Sequence, residues 1–423
     1  MRPKTESDAI NPITKRSHRI EERQLRTWAS RRALPPGIWA LGFGAMFMDT
    51  SSEFVHSLLP VFLTSVLGTS MITIGFLEGV AEATAAVTKV FSGLLSDYLR
   101  KRTFLVVLGY ALSALTKPVF PLAMSIHSVF GARFVDRVGK GVRGAPRDAL
   151  IADITPADLR GAAYGLRQSL DSVGAFLGPL LAVVSMAVLA NNIRSALWVA
   201  VLPAFVAVGF IFCVREPAAP QQSSASSPIS LAQAKRLGLG YWVIVLLGAF
   251  FTLARFSEAF LVLRAQSVGV AVGFVPLVMM VMNLVYAASA YPAGIASDYL
   301  SRRILLFVGL ATLVFADLVL ATALAPSQVL LGTALWGLHM GLTQGLFNKL
   351  VADSAPTELR GSAFGIFNLA GGVALFLASV IAGFLWELVG PAVTFITGAV
   401  FAALAAIGIL ALKTDDEKHG TES

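Results

Sequence analysis

Apolar runs of about twenty residues, enough to cross a hydrocarbon core as a helix, follow one another along most of the chain with only short polar breaks between them. Before residue 214 the pattern predicts six spans, roughly at 37–66, 71–96, 103–124, 127–151, 161–189 and 195–213. Residues 215–236, REPAAPQQSSASSPISLAQAKR, then interrupt it with Pro, Ser, Gln and Ala between charged ends, and read as a flexible linker. Six further spans follow, roughly at 240–264, 271–297, 304–324, 327–348, 361–385 and 391–412. The expected fold is an all-α membrane protein of twelve transmembrane helices, divided into six-helix bundles at 35–214 and 239–413. A basic tail at 1–34, the linker at 215–238 and a polar tail at 414–423 complete the division.

The two bundles read as copies of one unit. GLLSDYLRKR at 93–102 recurs as GIASDYLSRR at 294–303, an offset of 201 residues, and ADITPADLRGAAYG at 152–165 recurs as ADSAPTELRGSAFG at 352–365, an offset of 200. A weaker match sets Ser52-Glu53 against Ser257-Glu258. Three matches in one order indicate tandem duplication. Because each copy has an even number of spans, both insert the same way round, related by an axis along the membrane normal with a substrate path between them.

Composition removes most other classes. Only 14% of residues are charged, against about 25% in soluble domains. The net charge of +8 does not mark a nucleic-acid binder, because the basic residues gather in the N-terminal tail and in alternate breaks, at 100–102, 160, 215–236, 302–303 and 349–360. The breaks near 68, 125 and 326 have none, so the positive-inside bias predicts an inner-membrane protein with both termini cytoplasmic. The first 34 residues contain no apolar stretch of the signal-peptide kind. Cys213 is the only cysteine, which removes an intrachain disulfide or cysteine-based metal site. With no GxxxxGK[ST] loop and no HExxH motif, neither a nucleotide, a metal nor another cofactor is expected, and energy should come from an ion gradient.

Charges inside apolar spans are costly, so they normally face a cavity or one another. The first half is rich in them: Asp49, Glu53 and His56 in the first span, and Glu78, Glu82 and Lys89 on one face of the second. The fourth span, RFVDRVGKGVRGAPRD, carries Arg133, Arg137, Lys140, Arg143 and Arg147 as a stripe beside Asp136 and Asp148. This pattern admits two readings, an internal salt-bridge cluster or a cavity whose carboxylates carry a coupling proton and whose bases draw an anionic group. The second half is quieter. Its candidates for the substrate cavity, alongside His56 and Lys140, are Arg255, Glu258, Asn283, Tyr286, His339 and Gln344, with a structural role favoured for His339.

The paired motif Gly93-x-x-x-Asp97 with Arg100 and Arg102, and Gly294-x-x-x-Asp298 with Arg302 and Arg303, resembles the signature loop of the major facilitator superfamily, and the resemblance extends over residues 35–413. Arg100 and Ser301 stand where that family commonly has Gly. The resemblance implies the major facilitator fold, alternating access, and a cytoplasmic gate formed by the two loops. It also implies that Arg133, at the start of the fourth helix, helps proton coupling, although Asp136 and Arg137 depart from the family's pattern. GAFLGP, with Gly174, Gly178 and Pro179, resembles a helix-packing motif of the family's antiporters.

The expected activity is therefore secondary active transport of a small organic solute, by proton-coupled export, with protons, the solute and the bilayer as partners of a monomeric chain. Proton-driven uptake of an anionic metabolite or metal chelate is the alternative, and a non-transporting membrane sensor or scaffold a more distant one.

Overall fold

A computed structural model of the chain describes residues 34–99, 101–215, 237–343, 346–356 and 359–411. Residues 216–236 of the linker, residues 1–33 and 412–423 at the ends, Arg100 and Gln344 lie outside the described residues. The predicted spans become α1 Pro36–Ser65, α2 Met71–Leu99, α3 Arg102–Thr116, α4 Ile126–Ile154, α5 Arg160–Val188 and α6 Val201–Phe212 in the first half. In the second half they are α7a Leu239–Leu253 with α7b Ala259–Ser267, α8 Leu277–Tyr299, α9 Arg302–Ala321, α10a Pro326–Thr343 with α10b Leu346–Ser354, α11 Arg360–Leu388 and α12 Pro391–Ala411.

Local chemistry sets the ends. Pro36 starts α1 at the position where its missing N–H costs nothing. Ser125 and Ser301 accept hydrogen bonds from the Ser128 and Ile304 backbone N–H groups and cap α4 and α9. The capping role accounts for Ser301 where a glycine is usual. The turns after α1 and α7b need a left-handed residue, and Gly68 (φ +61°) and Gly269 (φ +87°) supply it at the duplication offset.

Packing repeats the duplication. Within the first half α1 lies on α5 and α6, and α4 on α2 and α3; within the second α7a lies on α11 and α12, and α10a on α8 and α9. The halves join through two equivalent pairs, α2 on α11 and α5 on α8, with α7b also touching α1. At the α2–α11 crossing the backbones nearly touch. A Cβ added to Gly75 would stand 2.3 Å from the Ser379 carbonyl oxygen and 3.1 Å from Gly383 Cα. Gly174 and Gly178 serve the same end within the first half, letting α5 lie against the carbonyls of Met46 and Thr50 on α1, and Pro179 follows inside α5.

Among the described residues eight helices are long and apolar enough to cross a membrane, by length and composition alone. The segments outside that set are α1, α4, the α7 pair and the α10 pair; of these α1 and α4 carry charged residues at mid-depth, and α7 is interrupted. The span expected as continuous at 240–264 is broken between Leu253 and Ala259. Ser257 holds the break: its N–H donates to Ser379 Oγ, and its own Oγ accepts from the Ala259 N–H. Unwound backbone at membrane depth is tolerable only where it is buried in protein or lines a cavity.

Among the described residues, the hydrogen bonds between halves lie at mid-depth or at the end remote from the termini. There the Met71 N–H donates to Glu387 (2.7 Å), Gln266 Nε2 donates to Ser65 (2.8 Å) and Thr64 Oγ1 donates to Gln266 Oε1 (3.2 Å). At the terminus end Tyr98 and Tyr299 are 85% and 84% exposed. Among the described residues the halves are joined at one end and not at the other.

Candidate functional site

A cavity of about 580 Å³ lies where the halves part. Asp49, Glu53 and His56 from α1, Glu82 and Lys89 from α2, Arg137, Lys140, Arg143 and Arg147 from α4, and Arg167 and Asp171 from α5 form the first-half wall. The second half contributes Arg255, Phe256 and Glu258 from the α7 break, Asn283 and Tyr286 from α8, and Trp336 and Met340 from α10a.

The charges are arranged in tiers. Behind the wall, Arg133 Nη2 donates to Glu78 Oε2 at 2.8 Å, with both side chains 1% exposed. Ser257 Oγ, from the broken turn of the opposite half, donates to the same carboxylate oxygen at 3.4 Å. His56 stands between this pair and the cavity, its Nε2 3.8 Å from Glu78 and its Nδ1 3.7 Å from Glu53. A protonated His56 would thus turn one N–H towards a buried carboxylate and the other towards one that lines the cavity. Deeper in the bundle Lys117 Nζ donates to Asp136 Oδ1 (3.0 Å) and to Ser52 Oγ (3.2 Å).

In the wall itself Arg137 pairs with Glu82 at 3.1 Å. Arg143 donates to Ser113 Oγ (2.6 Å) and lies 4.9 Å from the centre of the Tyr110 ring. Towards the open end Arg167 pairs with Asp171 and lies 3.8 Å from Asp148, which Arg147 approaches at 3.4 Å. Arg102 pairs with Asp153, tying the start of α3 to the end of α4. Among the described residues no ion pair holds Asp49, Lys89, Lys140, Arg255 or Glu258. Arg255 instead lies 5.7 Å from the centre of the Phe251 ring.

The sequence candidates therefore separate. Asp49, Glu53, Glu82, Arg137, Lys140, His56, Arg255, Glu258, Asn283 and Tyr286 come together around one cavity. Glu78 and Arg133 pair one layer behind it, and Asp136 turns to Lys117, so Asp136 is not part of the wall. His339 is fully buried, with Nδ1 2.7 Å from the Gly309 carbonyl oxygen and its ring beside Phe251, also off the cavity. Gly93 and Asp97 lie near the end of α2, Gly294 and Asp298 near the end of α8, and Arg302 and Arg303 at the start of α9.

Four charged residues escaped the sequence reading: Lys117, Arg167, Asp171 and Asp317. Each is an isolated charge in or at the edge of an apolar span, which was the available signal. Asp317 of α9 is fully buried with neither carboxylate oxygen hydrogen-bonded, and a Cβ on Gly398 would come within 2.7 Å of its Oδ2.

The major facilitator superfamily model matches residues 41–265 and 244–423. An uncharacterized MFS-type transporter of Methanocaldococcus jannaschii is 31% identical over 385 residues, 90% of this chain and 95% of that protein. An uncharacterized protein of Mycobacterium tuberculosis is 26% identical over 376 residues, 86% of this chain and 90% of its own length. Among solved structures, the nucleoside transporter NupG (D323A mutant) superposes with a TM-score of 0.74 at 13% identity, covering 89% of this chain and 99% of that one. A D-xylose-proton symporter does so at 0.72 and 16%, covering 89% and 97%. Family model, relatives and fold agree with the duplicated twelve-helix architecture: this chain belongs to the major facilitator superfamily.

Proposed function

We propose that the chain is a secondary active transporter that moves a small charged organic solute by alternating access, coupled to protons and working as an exporter. The observation that carries this reading is the cavity between the halves, into which Asp49 and Glu53 project with no arginine or lysine among the described residues within ion-pair distance of either carboxylate. A carboxylate lacking a fixed counter-charge, with His56 leading from Glu53 to the Glu78–Arg133 pair, is the kind of group that exchanges a proton as the cavity changes sides. The basic breaks favour an open end at the cytoplasm of an inner membrane. Export is supported by the antiporter-like Gly174–Pro179 segment of α5.

The test is single replacement of Asp49, Glu53, Glu78 and Glu82 by the neutral amide. In proteoliposomes at least one change is expected to abolish the dependence of flux on a pH gradient while exchange of solute for solute persists. Retention of that dependence by all four would place the proton elsewhere. Accumulation in inverted rather than right-side-out vesicles checks the direction.

We also take the paired Asp97 and Asp298 loops as the gate that closes the cytoplasmic side, since an acid at a helix end can pair with facing donors only when the halves approach. Asp97→Asn is expected to slow turnover several-fold with solute affinity unchanged; normal turnover would remove the gate assignment.

A further inference from the structure

The second half presents two charges to the cavity, and both come from the unwound turn of α7: Arg255 and Glu258. They are three residues apart, yet they form no ion pair with each other or with any described residue. The break explains why. In a continuous helix residues at this spacing share a face and would close on one another, as Arg167 and Asp171 do at a spacing of four on α5. With residues 254–258 outside the helices, each side chain is set by the turn. Across the cavity Lys89, Lys140 and Asp49 are also without an ion-pair partner among the described residues.

An occupant of one sign cannot satisfy this arrangement. An anion held by Arg255 and Lys140 leaves Glu258 and Asp49 facing it, and a cation held by the two acids leaves the bases uncompensated. Such uncompensated charges become costly once the cavity closes around its occupant and water is excluded. A solute carrying one anionic and one cationic group answers both signs. The aromatic surfaces of Tyr286, Trp336 and Phe256 suit the apolar remainder of such a molecule.

Building on the transport reading, we propose that the solute is a zwitterion of the amino-acid or betaine type, its anionic group held by Arg255 and its cationic group by Glu258. The purified full-length protein in nanodiscs is screened by thermal shift and by competition against the common amino acids and simple betaines. Each stabilising compound is then compared with the matched amine lacking the carboxylate and the matched acid lacking the amine.

The expected result is binding of the zwitterion, with affinity falling by a factor of about thirty or more for either truncated compound. Arg255→Gln should weaken the zwitterion while leaving the truncated amine unaffected, and Glu258→Gln should do the converse with the truncated acid. Arg255→Lys, which keeps the charge, should retain most of the affinity, and unaltered binding of the truncated compound by each Gln variant shows that it folds. Equal binding of a truncated compound, or binding of none of the panel, would overturn the proposal.

Flux is read separately, so the two ideas fail differently. Proton-driven flux of some other solute would leave the transport reading standing and remove the zwitterion. Zwitterion-specific binding with no flux would do the reverse.

Discussion

Arg133→Leu is expected to destabilise the protein by about 3–5 kcal/mol, the usual cost of stripping one partner from a buried ion pair. Glu78 would be left 1% exposed, with only the 3.4 Å hydrogen bond from Ser257 and the more distant His56 to compensate it. Against a typical folding stability of about 5–15 kcal/mol this is a large fraction. For a protein of this size the midpoint of thermal unfolding should fall by about 3–6 °C. Fluorescence-detected size exclusion after graded heating measures it.

The decisive comparison is the double variant Arg133→Gln with Glu78→Gln, which removes both charges and keeps groups able to hydrogen-bond. It should recover most of the lost stability, because the single variant fails through an uncompensated charge rather than lost volume. Equal losses in the single and double variants would show that packing, not charge, dominates there. A stable double variant also isolates the role that resemblance assigns to Arg133: if the pair takes part in coupling, the double variant folds yet loses pH-driven flux.

The second large effect is expected at Gly75. Valine there would drive a Cβ to 2.3 Å from the Ser379 carbonyl oxygen, and backbone cannot rotate aside as a side chain can. The clash exists only while α2 and α11 touch at the end remote from the termini. It therefore penalises that closed state more than the state open to that end. An overpacking cost of about 1–3 kcal/mol borne by one state corresponds to a population shift of about 5–150-fold. Transport should fall accordingly, because the cycle is held on one side.

The shift can be read directly, since Cys213 is the only cysteine and is exposed. In a Cys213→Ser background, Lys89→Cys, which faces the open cavity, should react more slowly with an impermeant maleimide once Gly75→Val is added. Loss of transport with that rate unchanged would show that no state is trapped. Gly371→Ala, in open space on the same α11, is the control and should be silent.

Much of the fold was legible because it rests on local properties. Membrane solvation acts residue by residue, so the apolar runs already mark twelve crossings within a few residues of the observed helices. The repeated Ser-Asp-Tyr-Leu segments mark the duplication for the same reason. The α7 break was not legible, because ARFSEAF at 254–260 is polar enough for either outcome and the choice is stabilised by Ser379 of α11, 122 residues away.

The candidate site divides along the same line. That the first half must hide many charges, and that they must face inward or pair, follows from the sequence through the cost of charge in hydrocarbon. Which charges pair does not. Arg133, Asp136 and Arg137 stand within five positions of one helix, yet they turn to Glu78, Lys117 and Glu82 on two different neighbours. Successive residues of a helix point about 100° apart, so the stripe read along α4 fans out over several surfaces. Each surface meets whatever helix the bundle brings there.

The amino-acid sequence by itself therefore determined a duplicated twelve-helix membrane protein with an internal store of charge, because hydropathy and repetition are properties of the chain. Only the tertiary structure decided which charges neutralise one another and which remain for a ligand. An ion pair forms over about 4 Å between helices whose separation along the chain carries no information about their separation in space.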